Sequence, residues 1–318
     1  MTTQPRPSRR VATVGAQLPA APTPSLESLR QRCMVSTGTE TGSSYWSEAQ
    51  RCQRAHYLKH RVGLSRIEQP FYFALGSAVH AVLQYTAQSM LYGHGFPAWE
   101  EVLRDAVQVG AFGPETAEAC DEARRIVRGY FMHWSAVRAG YAALGDIEAV
   151  ETYLQSKVIP ECTTRADAII RSDTGQLVVV DHKTRKSIPT ATDFELAREL
   201  VTNPQFLMTA YLVREKWRET PTFVVNMIGK AQTLKFRRLP FALTNWQLDQ
   251  WASEHSRMAD QFRMLQQQAG APPMNYGACV PFGGDNCWAF DWCHTAGSER
   301  LYRLRVPHRK GSEKNGKK

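Results

Sequence analysis

No stretch of this 318-residue chain stays apolar for the length a bilayer crossing needs. The N-terminal "MTTQPRPSRRVATVGAQLPAAPTPS" also has no long apolar run of the kind a secretory signal carries. Membrane and exported classes are therefore set aside, and the expectation is a cytoplasmic protein, bacterial or viral in a bacterial host. No internal repeat is visible. A disulfide framework is not expected either, since seven cysteines in a cytoplasmic chain stay reduced. The body also lacks net charge. The formal charge is +9, yet residues 41–297 hold 26 basic against 26 acidic side chains. The excess sits at the ends: five Arg against two Glu in residues 1–40, and eight Lys or Arg against two Glu in residues 298–318. Such ends read either as arms that touch a polyanion or as solvated tails.

What is present is enough apolar residue, 43%, for a substantial core. Residues 1–40, rich in Pro, Ala, Ser and Thr, read as a disordered basic tail. Residues 41–297 read as one domain, and 298–318 as a basic C-terminal tail. Helical spacing is found at 44–61, 71–92, 97–109, 114–143, 204–218 and 243–268, with Leu75, Val79, Val82 and Leu83 on one stripe. Strand patterns occupy 147–159, "TFVVNMIG" and "TLKFRRLP". Between them "TRADAIIRSDTGQLVVVDHKT" has the form of a hairpin, with strands 165–171 and 176–182 about the turn Ser172-Asp173-Thr174-Gly175. The expected fold is α/β, with a mixed central sheet of about five strands flanked by helices.

The chemistry concentrates in "QLVVVDHKTRKS", residues 176–187. Here Asp181 and Lys183 stand at the end of the apolar run Leu177–Val180 and, two apart, share one face of the strand. Folding the hairpin pairs Asp167 with Val180, or with Asp181 if one residue bulges. Either register brings two carboxylates together, and they repel unless a cation lies between them. Oxygen donors favour a hard divalent ion, Mg²⁺ or Mn²⁺. Beside a metal-bound phosphate, Lys183 could orient or deprotonate a water and stabilise developing charge. Taken alone, D-x-K is a very common tripeptide, and a surface ion pair at a strand end is its favoured reading.

Five ordered pieces lift it above that. "SEAQRCQRAHYL" (47–58), "GSAVH" (76–80), "RADAII" (165–170), "VVVDHKT" (178–184) and "QFLMTAY" (205–211) together resemble the RecB-like exonuclease branch of the PD-(D/E)XK nuclease superfamily. The resemblance implies a restriction-endonuclease-like core. It makes Asp167 and Asp181 metal ligands, joined by the backbone carbonyl of His182 and the imidazole of His80, with Lys183 the catalytic lysine. Gln205 and Tyr211 would support the site and contact DNA. A Glu before the hairpin often completes such sites; Glu148 and Glu151 both qualify, with Glu151 preferred. Gly76, one turn before His80, permits close approach of its helix to the sheet.

Near the C-terminus, "CVPFGGDNCWAFDWC" places Cys279, Cys287 and Cys293 within fifteen residues. Three thiolates so spaced suggest a metal. In the iron–sulfur members of the resembled branch, one N-terminal cysteine joins three C-terminal ones around a [4Fe–4S] cluster. That implies Cys52 as the fourth ligand and a staple joining the N- and C-terminal parts. The C-x₅-C ending fits that pattern, whereas the C-x₇-C gap departs from the commoner C-x₂-C. A Zn²⁺ site recruiting His294 and an unliganded loop remain alternatives. Cys120 and Cys162 read as small hydrophobes, and Cys33, in a polar Gly-rich stretch, as a poor ligand. The expected function is a metal-dependent deoxyribonuclease, an exonuclease acting on single-stranded DNA or free ends in replication, recombination or repair. Phage replication and CRISPR spacer processing also use this branch, and a helicase or recombination factor would be its partner. A non-catalytic DNA-binding subunit and a sequence-specific endonuclease are the rivals.

Overall fold

The computed structural model describes residues 42–66, 71–94, 98–109, 116–135, 144–267, 274–279, 287–294 and 302–304, with Ser25 and Pro272. The body of the expected N-terminal tail, with Cys33, lies outside the described residues, as does the side chain of Cys120. The order of elements is α1 (Ser43–Arg51), α2 (Gln53–His60), β1 (Leu64–Arg66), α3 (Phe71–Leu91), α4 (Glu100–Val109), α5 (Thr116–Ser135) and β2 (Asp146–Gln155). The hairpin β3 (Thr163–Arg171) and β4 (Leu177–Arg185) follows, then α6 (Asp193–Leu200), α7 (Pro204–Trp217), β5 (Thr222–Gly229) and β6 (Lys235–Ala242). The chain closes with α8 (Asn245–Gln267), α9 (Tyr276–Cys279), α10 (Phe290–His294) and β7 (Tyr302–Leu304).

Five strands form one mixed sheet in the order β2-β3-β4-β5-β6. Every neighbouring pair is antiparallel except β4 and β5, which run parallel. A parallel pair needs a crossover, and α6 and α7 supply it. On one face Ile169, Val179, Phe223, Val225 and Met227 pack with Phe206 and Ala210 of α7. On the other, Ala168, Ile170, Val178, Val180 and Val224 pack with Ala87 of α3. Helix α3 is more enclosed than a single stripe implies, because α4 and α5 cover the side that the sheet leaves free; Ala81 to Ser89 are all buried.

Several expectations shift. The N-terminal helix is two helices, because Cys52 adopts an extended conformation (φ −157°, ψ 109°) between α1 and α2. The hairpin takes the alternative register: Ala168, not Asp167, pairs with Val180. The loop is responsible, since Gly175 at φ +81° adds a left-handed residue before Gln176, whose carbonyl accepts the Ser172 N–H. Strand β4 runs on to Arg185 beside β5, so Asp181 and Lys183 lie inside a parallel ladder rather than at a strand end. Strand β2 stops at Gln155, and a turn closed by the Ser156 N–H on the Cys162 carbonyl follows. Helix α6 was not expected, although Thr192 and Glu195 form a reciprocal capping box at its start. Finally, Tyr302–Leu304, inside the expected basic tail, pairs antiparallel with β1 and brings the two ends of the described chain together.

Candidate active site

The site grows from an irregularity in the sheet. The β3–β4 ladder stops at Ala168–Val180, and the β2–β3 ladder steps from Val150–Ala168 to Thr152–Ala166. Glu151 and Asp167 fall in the gap. Glu151 has φ 49°, a left-handed conformation that a side chain with a Cβ rarely takes and that costs of order 1–3 kcal/mol. The faces exchange there: Ala168 packs on the α3 side, whereas Ala166 and Leu154 join the α7 side. The kink frees two carboxylates from regular alternation and turns them toward Asp181.

Each carboxylate is held differently. Asp167 Oδ2 accepts the His182 backbone N–H at 2.7 Å, and His80 Nδ1 stands 3.8 Å from the same oxygen. Asp181 Oδ1 accepts from Gln205 Nε2 at 2.9 Å and from Lys183 Nζ at 3.2 Å, while Lys183 also donates to Gln205 Oε1 at 3.0 Å. Asp181, Lys183 and Gln205 thus form a closed triangle. Asp181 Oδ2 is buried and accepts no hydrogen bond among the described residues, although Lys183 Nζ lies 3.0 Å away. Asn203 caps α7 by accepting the Gln205 N–H at 2.9 Å, with Pro204 as the first helical residue, so the glutamine enters on a fixed first turn. A Cβ on Gly76 would lie 2.8 Å from Thr184 Oγ1, so only glycine lets α3 press on β4 and carry His80 to Asp167.

The two candidate glutamates separate clearly. Glu148 is engaged at the hairpin base, 2.8 Å from Arg171 Nε, and that arginine also reaches Glu219 at 2.6 Å. Glu151 lies among the carboxylates. Burial, then the charges of Asp167 and Asp181, push its pKa up to about 8 against the opposing Arg165, 3.9 Å away. Asp181 is raised as well, by burial first and by Asp167, with Lys183 opposing. Tyr211 is placed elsewhere: its ring packs 5.5 Å from that of Trp251 and its hydroxyl bonds Ser156, about 9 Å along α7 from Gln205. The His182 imidazole is buried and lowered to about 3 by desolvation; its Nδ1 lies 3.1 Å from Asn226 Nδ2. Nothing in the sequence singled out Asn226, because an asparagine inside "TFVVNMIG" carries no spacing signal.

Among the described residues no three His, Cys, Asp or Glu side chains stand close enough together to hold a metal ion as placed. The donor chemistry nevertheless fits one. One buried and two half-buried carboxylates within reach of each other's charge, one oxygen without a donor, and a proton retained on Glu151 are what a hard cation would relieve.

A second cluster forms where the chain ends meet. Cys52, Cys279 and Cys287 are buried, Cys293 partly so, and none is in a disulfide. Cys287 and Cys293 are raised by burial and also by the other cysteines: Cys287 feels Cys52 and Cys279, and Cys293 feels Cys287, Cys279 and Cys52. Arg51 and Arg54 lower them, and Ala55, Leu58, Leu64 and Ala289 form an apolar wall. The thiols thus lie within electrostatic reach of one another, beside an apolar wall and two cations. His294 Nε2 lies 3.4 Å from Cys279 Sγ.

A five-stranded mixed sheet flanked by helices, with carboxylates and a lysine on its central strands, is consistent with a restriction-endonuclease-like nuclease core. Residues 44–294 match the family model of the PD-(D/E)XK nuclease superfamily, and the chain belongs to that superfamily. Its members are nucleases and generally use Mg²⁺ or Mn²⁺. Among solved structures, the chain is similar to a candidate exonuclease from Eubacterium rectale at 16% identity, covering 92% of this chain and 96% of that one, with a TM-score of 0.48. It is also similar to SSO0001 at 14% identity, covering 60% and 86%, with a TM-score of 0.24. No functional argument rests on either. No curated protein matches the chain.

Proposed function

We propose that this protein is a metal-dependent deoxyribonuclease of the RecB-like exonuclease branch, a single nuclease domain over residues 41–297. The observation that carries the reading is the convergence of Asp167, Asp181, Glu151 and Lys183 at the kink between β2, β3 and β4. The five motif pieces in order support the branch. Asp167, Asp181, the His182 carbonyl and His80 would hold Mg²⁺ or Mn²⁺, with Glu151 completing the set. The bound ion supplies charge neutralisation at the phosphoryl group and acidifies a water. Lys183 orients that water and stabilises the developing charge, and Gln205 holds the lysine and Asp181 in mutual register. Tyr211 acts from the α7–α8 seam, as support rather than at the reacting atoms. Cys52, Cys279, Cys287 and Cys293 would hold a [4Fe–4S] cluster that staples the chain ends. The approach of His294 to Cys279 keeps zinc as the second reading of that site.

The test is cleavage of end-labelled linear and closed-circular DNA, single- and double-stranded, with Mg²⁺ or Mn²⁺ and protein purified without oxygen. Loss of label from linear DNA alone supports an exonuclease. Cutting circles at one sequence moves the assignment to an endonuclease, and binding without cleavage to a DNA-binding subunit. About four irons per chain support the cluster, whereas one zinc and no iron support the alternative.

A further inference from the structure

Behind the candidate active site, on the opposite face of β4, lies a row of polar side chains that the nuclease reading does not use. His182, Asn226 and Arg238 are direct register partners across β4, β5 and β6. Helix α5 covers the row. Asn226 Nδ2 lies 2.6 Å from Tyr130 Oη and 3.1 Å from His182 Nδ1, so one amide ties the helix to the histidine. Arg238 bonds the same tyrosine and lies over the Trp134 ring, 3.8 Å from its centroid. His182, Asn226 and Tyr130 are all at most 2% exposed.

This is an expensive way to fill a core. Asn226 Oδ1 is buried and has no hydrogen-bond partner among the described residues, and an orphaned buried acceptor costs about 1–3 kcal/mol. An apolar trio of similar volume would pack under α5 without that penalty. The position of the row gives a reason for it. The β3–β4 ladder ends at Val180, so β3 does not fix the backbone from Asp181 to Lys183 by regular pairing. That backbone has demanding work. Its His182 N–H must meet Asp167 Oδ2, while Asp181 and Lys183 face the other side. A histidine clamped by its ring cannot twist about the strand, and its two neighbours are held with it.

We infer that Asn226, bridging Tyr130 and His182, is a positioning residue that sets the torsion of residues 181–183 and thereby the spacing between Asp167 and Asp181. The inference rests on the nuclease reading and deepens it. Asn226 touches no reacting atom; it acts through His182.

The experiment compares wild type, Asn226→Leu, Tyr130→Phe and Asp181→Ala in Mg²⁺- and Mn²⁺-dependent cleavage of end-labelled DNA, with thermal unfolding measured alongside. Asn226→Leu should lower kcat by about 10–100-fold, the scale seen when partners of ligating residues are lost. KM for DNA should be unchanged, and the metal concentration for half-maximal rate should rise. Its melting temperature should change little, because leucine removes the orphaned oxygen but also the amide that bonds Tyr130 Oη and His182 Nδ1. Tyr130→Phe, which deletes one hydroxyl and keeps the packing, should show the same signature more weakly. Asn226→Leu that folds with wild-type kcat and metal dependence overturns the inference. If Asn226→Leu does not fold, wild-type kinetics in Tyr130→Phe overturns it instead. Wild-type protein inactive with every metal and DNA overturns the nuclease reading itself, a separate outcome.

Discussion

The molecule gathers chemically demanding side chains in two places, by opposite means. The carboxylate site draws on β2, β3 and β4, consecutive strands of one sheet, where the β2–β3 ladder resumes on both sides of Glu151 and Asp167 and the parallel β5 ladder holds Asp181 to Lys183. The cysteine site draws on residues more than 220 positions apart and has no such frame. What joins its halves is a handful of contacts. Asn275 donates to the Arg51 carbonyl at 2.8 Å, Arg54 to that of Pro272 at 2.6 Å, Trp288 to Glu48, and three residue pairs link β1 with β7. The sheet can hold like charges in repulsion because covalent and ladder constraints leave them nowhere to go. The chain ends have no comparable constraint, so whatever the thiols bind would itself supply much of the order. On the proposed reading the first site is built by the fold, and a metal held at the second would help to build it.

The largest expected effect breaks the sheet site and leaves the staple alone. Asp181→Ala should abolish metal-dependent cleavage, by on the order of a thousandfold or more, with DNA binding largely retained. The double variant with Asp167→Ala should be barely worse, because groups that act as one unit do not add. Single-turnover cleavage and filter binding measure the two quantities separately. Full activity in Asp181→Ala would remove the carboxylates from the mechanism.

Cys52→Ala should do the reverse. It should lose the bound metal and roughly 2–5 kcal/mol of stability, the scale of a lost native cross-link. Cys33→Ala should keep both. Metal content and thermal unfolding decide the outcome; iron and stability unchanged in Cys52→Ala would detach that cysteine from the cluster.

Sequence and structure agree best where local pattern and tertiary demand coincide. The strand expected from "TFVVNMIG" spans those eight residues, because an apolar β-branched run between Pro221 and a glycine has few other places to go. The approach of Asp167 to Asp181 and Lys183 was legible because a hairpin brings its own strands together. The break at Cys52 was not, since "SEAQRCQRAHYL" is helical on both sides and only tertiary packing interrupts it. The sequence prefers Glu151 to Glu148 without a physical reason for its placement among the carboxylates. That placement depends on a left-handed residue inside β2, which no spacing rule foretells for a glutamate. Both hairpin registers were open in the sequence, and the left-handed Gly175 goes with the one that pairs Ala168 with Val180. The capping box of α6 is local, carried by "TDFE" at residues 192–195, yet a helix of eight residues gives too short an apolar period to stand out.

A smaller effect comes from pH. Glu151 keeps its proton to about pH 8 in the folded chain but loses it near 4.5 when unfolded. The native state therefore binds the extra proton between those values, and this contribution to stability is lost as pH rises through the window. His56, His182 and His255 are depressed and act with the opposite sign below pH 6.5, so pH 6.5–8 is where the raised carboxylates dominate, and Glu151→Gln separates Glu151 from the likewise raised Asp181. In chelator, stability should fall across that interval for wild type and stay flatter for Glu151→Gln. Added Mg²⁺ or Mn²⁺ should bind more tightly toward pH 8, with release of a proton. Calorimetry in buffers of different ionisation enthalpy counts that proton; none released would place Glu151 outside the metal site.

The smallest effect sharpens the comparison from the staple side without touching a thiol. Glu48 gathers Lys59 at 3.0 Å, His60 at 3.1 Å and the Trp288 indole N–H onto one carboxylate. Burial alone would raise its pKa, but these partners outweigh it and hold the group down at about 2. Its stabilisation is present above the unfolded value of 4.5 and is lost as pH falls through about 2. Trp288 follows Cys287 directly, so Glu48 fastens the cysteine-bearing segment to α1 one turn before Cys52. Glu48→Gln keeps the shape and one acceptor but removes the charge that three donors share. It should cost about 1–3 kcal/mol and speed metal loss to a chelator, while cleavage measured before that loss stays at the wild-type rate. Thermal unfolding and the rate of chromophore bleaching check both. If cleavage falls before any metal is lost, the two sites are coupled and the contrast between them fails; if neither stability nor bleaching changes, the cysteine segment is fastened by β1 and β7 instead.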